Sequence, residues 1–407
     1  MRDMAAWSPA HEAEGWALLL ATYAACYVAA AWVPVAALTP GYVIAHATPG
    51  RAQLYRLNGF SCLLLLVALA AALVRAGALR GDVLYTHFWA CARASCALGL
   101  ALAAWSYARG RALLRRGLID RRARCPTVDD PAGGPAGPAS TAEFDSRGAL
   151  AHFYCGLSEY NPAGPWGVDV KMWLYLVGAL QLQLNLLSAV YHAHAASAPA
   201  PLSPGLVAYA GCLSFFVVEY VFNEEVHTLT YDIFRERLGF KLIWGCVCFY
   251  PFFYVVGVWP LCRADAAPLS PAAAAGCCAL FACGWLLTRG ANAQKFACKR
   301  KLSGFLWGGL VPMTTLPGSK GRILISGFWG VSRHVNYAGE VLQALALALP
   351  GVLATGDVAP LLYPAYYLAL FIPRALDDDA QCRAKYGAAL WGAYTAAVPW
   401  RIVPWVY

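Results

Sequence analysis

Two lysines in the second half of the chain have the spacing of a phosphate-binding pair. Lys295 and Lys299 lie in the segment Arg289–Leu302, and residues four positions apart share one face if the segment is helical. Two fixed cations on one face suit a ligand that carries phosphate groups, although an anionic lipid headgroup offers the same chemistry. From this segment alone, a lipid contact is the safer interpretation.

Carboxylates crowd a second segment, Phe222–Trp244, which joins two apolar runs. Glu224, Glu225 and Asp232 lie there with His227. A carboxylate next to hydrocarbon is costly and usually faces a cavity or a partner. In an apolar pocket its pKa rises, so the group can stay protonated at pH 7 and serve as an acid. A solvated loop with Glu–Arg pairs explains the same residues equally well.

Three further polar clusters interrupt the apolar sequence, at Cys155–Trp173, Ser326–Glu340 and Arg374–Tyr407. The first carries Asp169 and Lys171 where a helix would enter the membrane, and its tryptophans also suit an anchor in the headgroup zone. The second contains an Arg-His pair and an Asn-Tyr pair. The third has three consecutive aspartates close to the preceding span. Cations, carboxylates and aromatic groups that converge on one face form the default hypothesis for a binding site.

The composition indicates which elements must position these clusters. Only 13% of the 407 residues are charged and 60% are hydrophobic, whereas a soluble domain carries roughly 25% charged residues. We therefore predict an all-α polytopic transmembrane helical bundle of about nine to ten spans. The net charge of +9 fits positive loops on the cytosolic side and not a nucleic-acid surface.

The predicted spans follow the apolar runs, each of which needs about 20 residues to cross ~30 Å of hydrocarbon. The runs are 15–38, 58–79, 87–107, 170–195, 204–223, 240–261 and 269–288, followed by two shorter runs, 338–350 and 357–373, that Pro350 and Gly351 separate. The two shorter runs are marginal as spans. The piece 303–312 is a candidate re-entrant segment.

Arginine sets the expected orientation. Seven arginines between Arg109 and Arg124 place the loop after the third span in the cytosol. Counting spans forward puts the loops 224–239 and 289–337 on the same side, together with the tail from Arg374 to Tyr407. All five polar clusters then lie at or near the cytosolic face. The Pro/Gly/Ser-rich stretch 126–142 is a predicted flexible cytosolic loop.

Cysteine and histidine do not indicate a metal site. The fifteen cysteines lie mostly inside apolar runs, where they behave as small hydrophobes. No Cys/His spacing suits zinc, so no metal is expected. His192 and His194 are two positions apart, do not share a helix face, and are interpreted as interfacial residues.

Taken in order, the clusters resemble the sterol reductase family of polytopic membrane enzymes, which includes the C14, C7 and C24(28) sterol reductases and the membrane domain of the lamin B receptor. The resemblance covers most of the chain from about residue 150. The segments that carry it are "GLSEYNPAGPWGVDVKMW", "TYDIF…LGFKLIWG", "ANAQKFACKR", "SGFWGVSRHVNYAGE" and "CRAKYG…W…Y…VPWRIVPWVY". An R-H-x-N-Y motif alone would be weak, since membrane methyltransferases carry a similar R-H-P-x-Y.

The resemblance implies one membrane domain, 1–407, whose C-terminal half, 289–407, binds NADPH. It implies reduction of a sterol double bond at the delta-7, delta-14 or delta-24 position, with the sterol entering from the bilayer. An enzyme acid protonates the alkene, and hydride from the nicotinamide quenches the carbocation. The family also implies an endoplasmic reticulum membrane, or the cell membrane if the protein is bacterial, and contact with membrane lipids.

The resemblance also assigns roles to individual residues. It implies that Lys295 and Lys299 hold the phosphate groups, with Arg333 and His334 beside the cofactor site. The matched cofactor-site positions are Leu324, Trp329, Asn336, Tyr337, Asp378, Cys382, Lys385, Tyr386 and Tyr394. For the acid, Asp232 is the first choice, and Glu224 and Tyr394 are the alternatives.

Three departures from the family pattern indicate a divergent branch and leave the reduced bond open. Asp377 stands where an Arg usually precedes the Asp that matches Asp378. The stretch "KYGAALW" is one residue longer than usual, and Ala163 stands where an Arg is common.

Two other functions are weighed against reduction. A methyltransferase that uses S-adenosylmethionine would share the R-H-x-[NP]-Y pattern, but that cofactor has no phosphate and leaves the lysine pair unexplained. A non-catalytic scaffold would resemble the receptor branch, which has a long N-terminal nuclear domain. Since the first span begins near residue 15, a scaffold is not expected.

Overall fold

The fold is known from a computed structural model of the chain. It describes residues 8–35, 42–48, 51–118, 148–159, 162–228, 233, 237–299, 305–306, 311–318 and 321–407. The predicted flexible loop 126–142 and the predicted acid Asp232 lie outside the described residues. Lys299 is described only as a helical position, without its side chain.

Helices make up most of the described chain, as predicted. The nine longest are α1 Pro9–Trp32, α2 Gly59–Arg75, α3 Phe88–Arg115, α4 Val170–Ser197, α5 Pro204–Phe222, α6 Pro271–Lys299, α7 Val335–Thr355, α8 Leu362–Tyr386 and α9 Ala388–Ala397. Short α-helical segments are Val83–Thr86, Ala149–Cys155, Glu224–His227, Phe240–Trp244, Tyr250–Phe253, Val258–Leu261 and Phe328–Val331.

Among the described residues, seven helical stretches are long and apolar enough to cross a membrane, which indicates a multi-pass membrane protein. They are Pro9–Trp32, Phe88–Arg115, Val170–Ser197, Pro204–Phe222, Phe240–Leu261, Pro271–Cys298 and Val335–Thr355. The helix α2 is apolar but shorter. The predicted number of nine to ten spans is therefore not confirmed in the described residues.

The predicted break at Pro350 is wrong. The helix α7 has 21 residues, runs through Pro350 and is a candidate span, so the run 338–350 is not marginal. The helix α8 has 25 residues but is not among the candidate spans of the described residues, which agrees with the marginal run expected at 357–373. A proline removes one hydrogen bond from a helix, and packing can compensate inside a membrane protein. Both Pro350 and Gly351 are buried. The helix ends only at Gly356, whose positive φ of 71° closes the last turn.

The described ranges contain three small antiparallel strand pairs that were not predicted. The pairs are β1 Tyr42–Thr48 with β2 Arg51–Arg56, β3 Phe305–Leu306 with β4 Val311–Pro312, and β5 Thr315–Gly318 with β6 Gly321–Leu324. The second pair lies within the candidate re-entrant segment 303–312, of which only 305–306 and 311–312 are described, in extended conformation. The re-entrant path of this segment stays a prediction.

The span Phe240–Leu261 is irregular, because a π-helical turn occupies Gly245–Phe249. Such a turn displaces backbone carbonyls from the regular ladder. The carbonyl of Val247 accepts a hydrogen bond of 2.6 Å from the Tyr23 hydroxyl. The carbonyl of Pro251 accepts one of 3.0 Å from the Asn185 side chain. Buried polar side chains therefore satisfy the backbone where the span is broken.

The chain divides into two compact units. The first comprises Met1–Pro201 and Leu213–Val255, and the second comprises Leu202–Cys212 and Val256–Tyr407. In the first unit, α4 is central and packs against α1 and α2.

In the second unit, α6 packs closely along α7. A Cβ atom on Gly339 would lie 2.6 Å from the carbonyl oxygen of Gly284, and one on Gly284 would lie 2.7 Å from that of Gly339. The two backbones can approach this closely only because both residues lack a side chain. This contact fixes the two helices that position the candidate site.

Candidate functional site

The last turns of α6 position Lys295 above an aromatic ring. Its ammonium lies 5.0 Å from the centre of the Trp329 ring, which is within the range of a cation–π contact. The indole N–H of Trp329 donates a hydrogen bond of 2.7 Å to the carbonyl of Ala291, one turn earlier in α6. The ring is therefore held against the same helix that carries the lysine.

Gln294 ties the segment before Trp329 to α6. It is fully buried, and its amide donates to the carbonyls of Pro312, at 2.7 Å, and Ser326, at 3.0 Å. Gly327 has a positive φ of 61°, and a Cβ atom there would collide with the Gln294 amide. Only glycine allows this approach without strain.

Leu324 and Trp329 belong to a buried hydrophobic cluster with Ala291 and Val335. Their exposed fractions are 8% and 9%. The structure thus places both predicted residues in the wall of the candidate site.

Tyr337 and Asn336 begin α7 and present two different groups. The Tyr337 hydroxyl donates a hydrogen bond of 2.7 Å to Asp378 Oδ2. Its ring stacks between His334, with centres 5.0 Å apart, and Phe371, with centres 4.4 Å apart. The side-chain oxygen of Asn336 is buried and accepts no hydrogen bond within the described ranges. An acceptor left in this way is suited to a donor on a ligand.

Cys382 and Tyr386 in α8 pack with Tyr394 of α9 in a second cluster, around Trp391 and Ile323. Burial raises the pKa of the Cys382 thiol, while the positive charge of Lys295 opposes this rise. Burial also raises the pKa of Tyr394, so its phenol remains protonated at neutral pH.

Lys385 lies on the exposed side of α8. Its ammonium is 5.1 Å from the centre of the Tyr386 ring. Its charge, like that of Lys295, acts to lower the pKa of the Cys382 thiol. Lys295 and Lys385, both predicted site residues, therefore lie near the Cys382 thiol.

The three consecutive aspartates have different surroundings, because each step along a helix turns the side chain by about 100°. Asp377 is exposed and accepts a hydrogen bond from Gln381 at 2.7 Å. Asp378 accepts from Tyr337. Asp379 turns inward and contacts Arg333 and Arg401.

Asp379 and Arg401 were not predicted from the sequence, yet they form one ion-pair cluster with Arg333. Arg333 reaches Asp379 with two nitrogens, at 3.0 and 3.3 Å, and Arg401 reaches it at 3.1 Å. His334 Nε2 lies 3.5 Å away, too far for a strong hydrogen bond. Burial acts to raise the pKa of Asp379, but His334, Arg333 and Arg401 together hold it well below its usual range. A signal was present, since an Arg-His pair beside a membrane helix requires an acidic partner.

Glu224, one of the predicted acids, is buried in the first unit. Its side chain is 7% exposed, and Oε1 accepts a hydrogen bond of 2.9 Å from the backbone N–H of Gly59, at the start of α2. Burial raises the pKa of Glu224 to about 8, and the Gly59 N–H opposes this rise. Glu224 is therefore mostly protonated at pH 7.

Glu224 lies in a cleft that is lined by the end of α1 and the starts of α2 and α4. The lining residues are Ala30, Tyr55, Arg56, Asn58, Gly59, Gly167, Val168, Asp169, Met172, Trp173, Leu176 and Glu224. Asp169 caps α4, accepting a hydrogen bond of 2.9 Å from the N–H of Met172. Lys171 is fully buried and donates to the carbonyl of Ile233 at 3.3 Å. Lys171 therefore faces the interior of the first unit.

The predicted site residues therefore fall into separate groups. The second unit holds the predicted cofactor-site residues, from Lys295 to Tyr394, and the first unit holds Glu224. Asp232 and the side chain of Lys299 lie outside the described residues. Throughout the described ranges, the structure shows no group of three or more His, Cys, Asp or Glu residues placed to hold a metal ion.

Comparison with known proteins extends the resemblance to the whole chain. The sequence profile of the ergosterol biosynthesis ERG4/ERG24 family matches residues 4–407. The chain is 29% identical over 383 residues to the Delta(14)-sterol reductase of Arabidopsis thaliana, and the match covers 91% of each protein.

Two further relatives match this chain over only about half of their own length. The Delta(14)-sterol reductase of Methylotuvimicrobium alcaliphilum is 33% identical over 229 residues, which are 56% of this chain and 51% of that protein. The Delta(14)-sterol reductase LBR of Gallus gallus is 29% identical over 378 residues, which are 90% of this chain and 53% of that protein.

Proposed function

This chain belongs to the ergosterol biosynthesis ERG4/ERG24 family, and we propose that it is an oxidoreductase that reduces a carbon–carbon double bond of a sterol. The observation that carries the proposal is the family match from residue 4 to residue 407. The relatives named above are Delta(14)-sterol reductases, which supports the delta-14 bond over the delta-7 and delta-24 bonds. These names lend no support to the methyltransferase alternative.

The proposed reductant is NADPH, and the residues of the second unit fit it. A dinucleotide presents phosphate groups, which suit the exposed cation Lys295 and the helical position Lys299 one turn later. It also presents a carboxamide whose N–H groups suit the buried acceptor oxygen of Asn336. The proposed fit therefore rests on two pairings: a lysine cation with a phosphate, and a hydrogen-bond acceptor of the protein with a donor of the cofactor.

Each residue of this group has a proposed task. Lys295 binds phosphate, and the Trp329 ring beneath it keeps its ammonium in place. Asn336 orients the carboxamide, and the Tyr337–Asp378 hydrogen bond fixes the start of α7 against α8. Leu324 and Trp329 exclude water from the reacting groups. When bound, NADPH would supply the hydride that the sterol carbon accepts.

The proton for the other alkene carbon would come from a side chain of this protein. Tyr394 has the strongest support of the described residues, because it packs with Cys382 and Tyr386 and its phenol is protonated at neutral pH. Glu224 is also protonated at pH 7, although it belongs to the first unit. Asp232 stays a prediction. We place the reaction in the endoplasmic reticulum membrane, where sterol substrates dissolve in the bilayer.

The reaction is tested with purified protein in detergent, a panel of sterols unsaturated at the delta-7, delta-14 and delta-24 positions, and NADPH. Mass spectrometry of the products should show loss of the delta-14 bond. Asp378→Ala should abolish turnover without unfolding, while the exposed neighbour variant Asp377→Asn should retain it. A folded wild-type protein that reduces no sterol would contradict the proposal, and reduction at another position would correct the assigned bond.

A further inference from the structure

We infer that Asp379 is a positioning residue: it clamps the segment Val398–Ile402 onto the segment Ser332–His334, beside the Tyr337–Asp378 hydrogen bond. The clamp rests on contacts alone, within the second unit. Its effect on turnover rests on the function proposed above. Asp379 is not among the positions matched to the family's cofactor site, so this role is additional to that site.

One carboxylate holds two arginines that come from different parts of the chain. Arg333 precedes α7 and Arg401 follows α9. Arg333 binds both oxygens of Asp379 in the two-pronged geometry that a guanidinium allows. The Arg333 side chain is 6% exposed and that of Asp379 is 13% exposed. Arg333 in particular depends on this carboxylate, because its buried cation has little access to water, whereas the Arg401 side chain is 37% exposed.

The backbone of the two segments is paired around this carboxylate. The N–H groups of Arg333 and His334 donate to the carbonyls of Trp400, at 2.9 Å, and Arg401, at 2.7 Å. The remaining arm of the Arg333 guanidinium donates to the carbonyls of Val398 and Pro399, both at 2.8 Å.

A side-chain hydrogen bond extends this pairing by one residue. The Ser332 hydroxyl donates to the carbonyl of Ile402 at 2.8 Å. Arg333 thus lies between Asp379 on one side and the Val398–Ile402 backbone on the other, and its position depends on the carboxylate.

The clamp reaches the proposed cofactor site through His334. The His334 ring stacks on the Tyr337 ring with an angle of 7° between their planes, and Tyr337 donates to Asp378. If the charge of Asp379 is removed, Arg333 keeps a buried cation without a counter-charge. The segment that carries His334 should then loosen, and the Tyr337 hydroxyl should lose its fixed direction.

The neighbouring aspartates do not duplicate this role. Asp378 already accepts the Tyr337 hydroxyl, and Asp377 is exposed and pairs with Gln381. Asp377→Asn is therefore a matched control for Asp379→Asn, since both remove one negative charge from the same helical turn of α8.

Hydrogen exchange measured by mass spectrometry tests the clamp without any assay of activity. In Asp379→Asn, peptides that cover 332–334 and 398–402 should exchange about tenfold faster or more than in the wild type. In Asp377→Asn they should exchange at the wild-type rate. Arg401→Gln, which removes one arm and affects a partly exposed side chain, should give a smaller increase in the same peptides. Wild-type exchange in both Asp379→Asn and Arg401→Gln would overturn the clamp.

A kinetic measurement tests the positioning role. Asp379→Asn should raise the KM for NADPH by about tenfold or more, and Asp379→Glu should restore part of the affinity because it restores the charge. A purely structural role would lower the amount of active protein and leave KM unchanged. Faster exchange with an unchanged KM would overturn the positioning role. If the wild type itself reduces no sterol, the proposed function fails, and the exchange result still decides the clamp.

Discussion

Glu224 is a protonated acid at neutral pH, and this has a consequence for stability. Burial raises its pKa to about 8, whereas a glutamate in an unfolded chain titrates near ~4.3. Between these values the folded protein holds a proton that the unfolded chain has released. The resulting stabilisation is fully present below the unfolded pKa and is lost as the pH rises through about 8.

The melting temperature in detergent should therefore fall between pH 6 and pH 9, with a component that Glu224 causes. Glu224→Gln keeps a hydrogen-bond acceptor for the Gly59 N–H but has no titrating group, so its melting temperature should change less over this range. Glu225→Gln serves as the control at the adjacent position. Identical pH profiles for the wild type and Glu224→Gln would exclude a proton held by Glu224.

Lys295 is the most direct test of the proposed phosphate contact. Lys295→Ala removes a cation that lies over Trp329, and a hydrogen bond to a charged group contributes roughly 1.5–3 kcal/mol. We expect the Kd for NADPH to rise by about tenfold or more, measured by energy transfer from tryptophan to the bound nicotinamide. Arg263→Ala, which removes a surface arginine paired with Asp265, is the control. Unchanged affinity in Lys295→Ala would count against the assignment.

Residue types and spacing identified segments whose side chains lie close together in the second unit, but they did not identify which side chains pair with one another. The segment from Arg289 to Leu302 and the tail after Arg374 could be selected from polar residues next to apolar runs. The pairing of Asp379 with Arg333 joins residues 46 positions apart, and no local pattern encodes such a distance. The sequence pattern placed Lys171 where a helix enters the membrane but did not show its burial, which depends on contacts with distant residues such as Ile233.

At the scale of elements, local rules failed where tertiary packing overrides them. Pro350 and Gly351 form a normal helix-ending pair, yet α7 continues for another turn because both residues are buried against other parts of the second unit. The π-helical turn at Gly245–Phe249 is stabilised by side chains from distant helices, and no apolar periodicity signals it. The long helices were found because their apolar runs exceed the thickness of a bilayer.

The contact of α6 with α7 should depend on the glycine at position 339. In Gly339→Ala the new Cβ would lie 2.6 Å from the Gly284 carbonyl, so the helices must separate, at a cost of about 1–3 kcal/mol. Gly276→Ala changes the same residue type in α6 where a Cβ meets nothing within 4 Å. Thermal unfolding should show a lower melting temperature only for Gly339→Ala. An equal melting temperature for both variants would contradict the close packing.

Within each unit taken by itself, helix ends that the charge pattern predicts to be cytosolic lie close together. In the first unit, the end of α1 and the starts of α2 and α4 line one cleft with Glu224, as expected if α1 and α2 run in opposite directions. In the second unit, Lys295 at the end of α6 lies near Cys382 at the end of α8. Arginine counts predict that these ends are cytosolic.

Labelling of single cysteines in sealed microsomes should confirm this orientation. In a background without reactive cysteines, Gln381→Cys should react with a membrane-impermeant maleimide in intact vesicles. Asp265→Cys, which precedes α6, should react only after the membrane is permeabilised, because α6 separates the two positions. Reaction of Asp265→Cys alone in intact vesicles would reverse the predicted topology.

The proposed reaction transfers hydrogen from NADPH to a sterol double bond, with the proton supplied through the protein. The most direct measurement uses NADPH deuterated at the transferable position, a delta-14 unsaturated sterol and purified protein. We predict one deuterium atom in the reduced sterol from the labelled cofactor, and one more when the reaction is repeated in D2O with the same cofactor. A reduced sterol without deuterium from NADPH, or recovery of unreduced sterol from folded protein, would contradict the account.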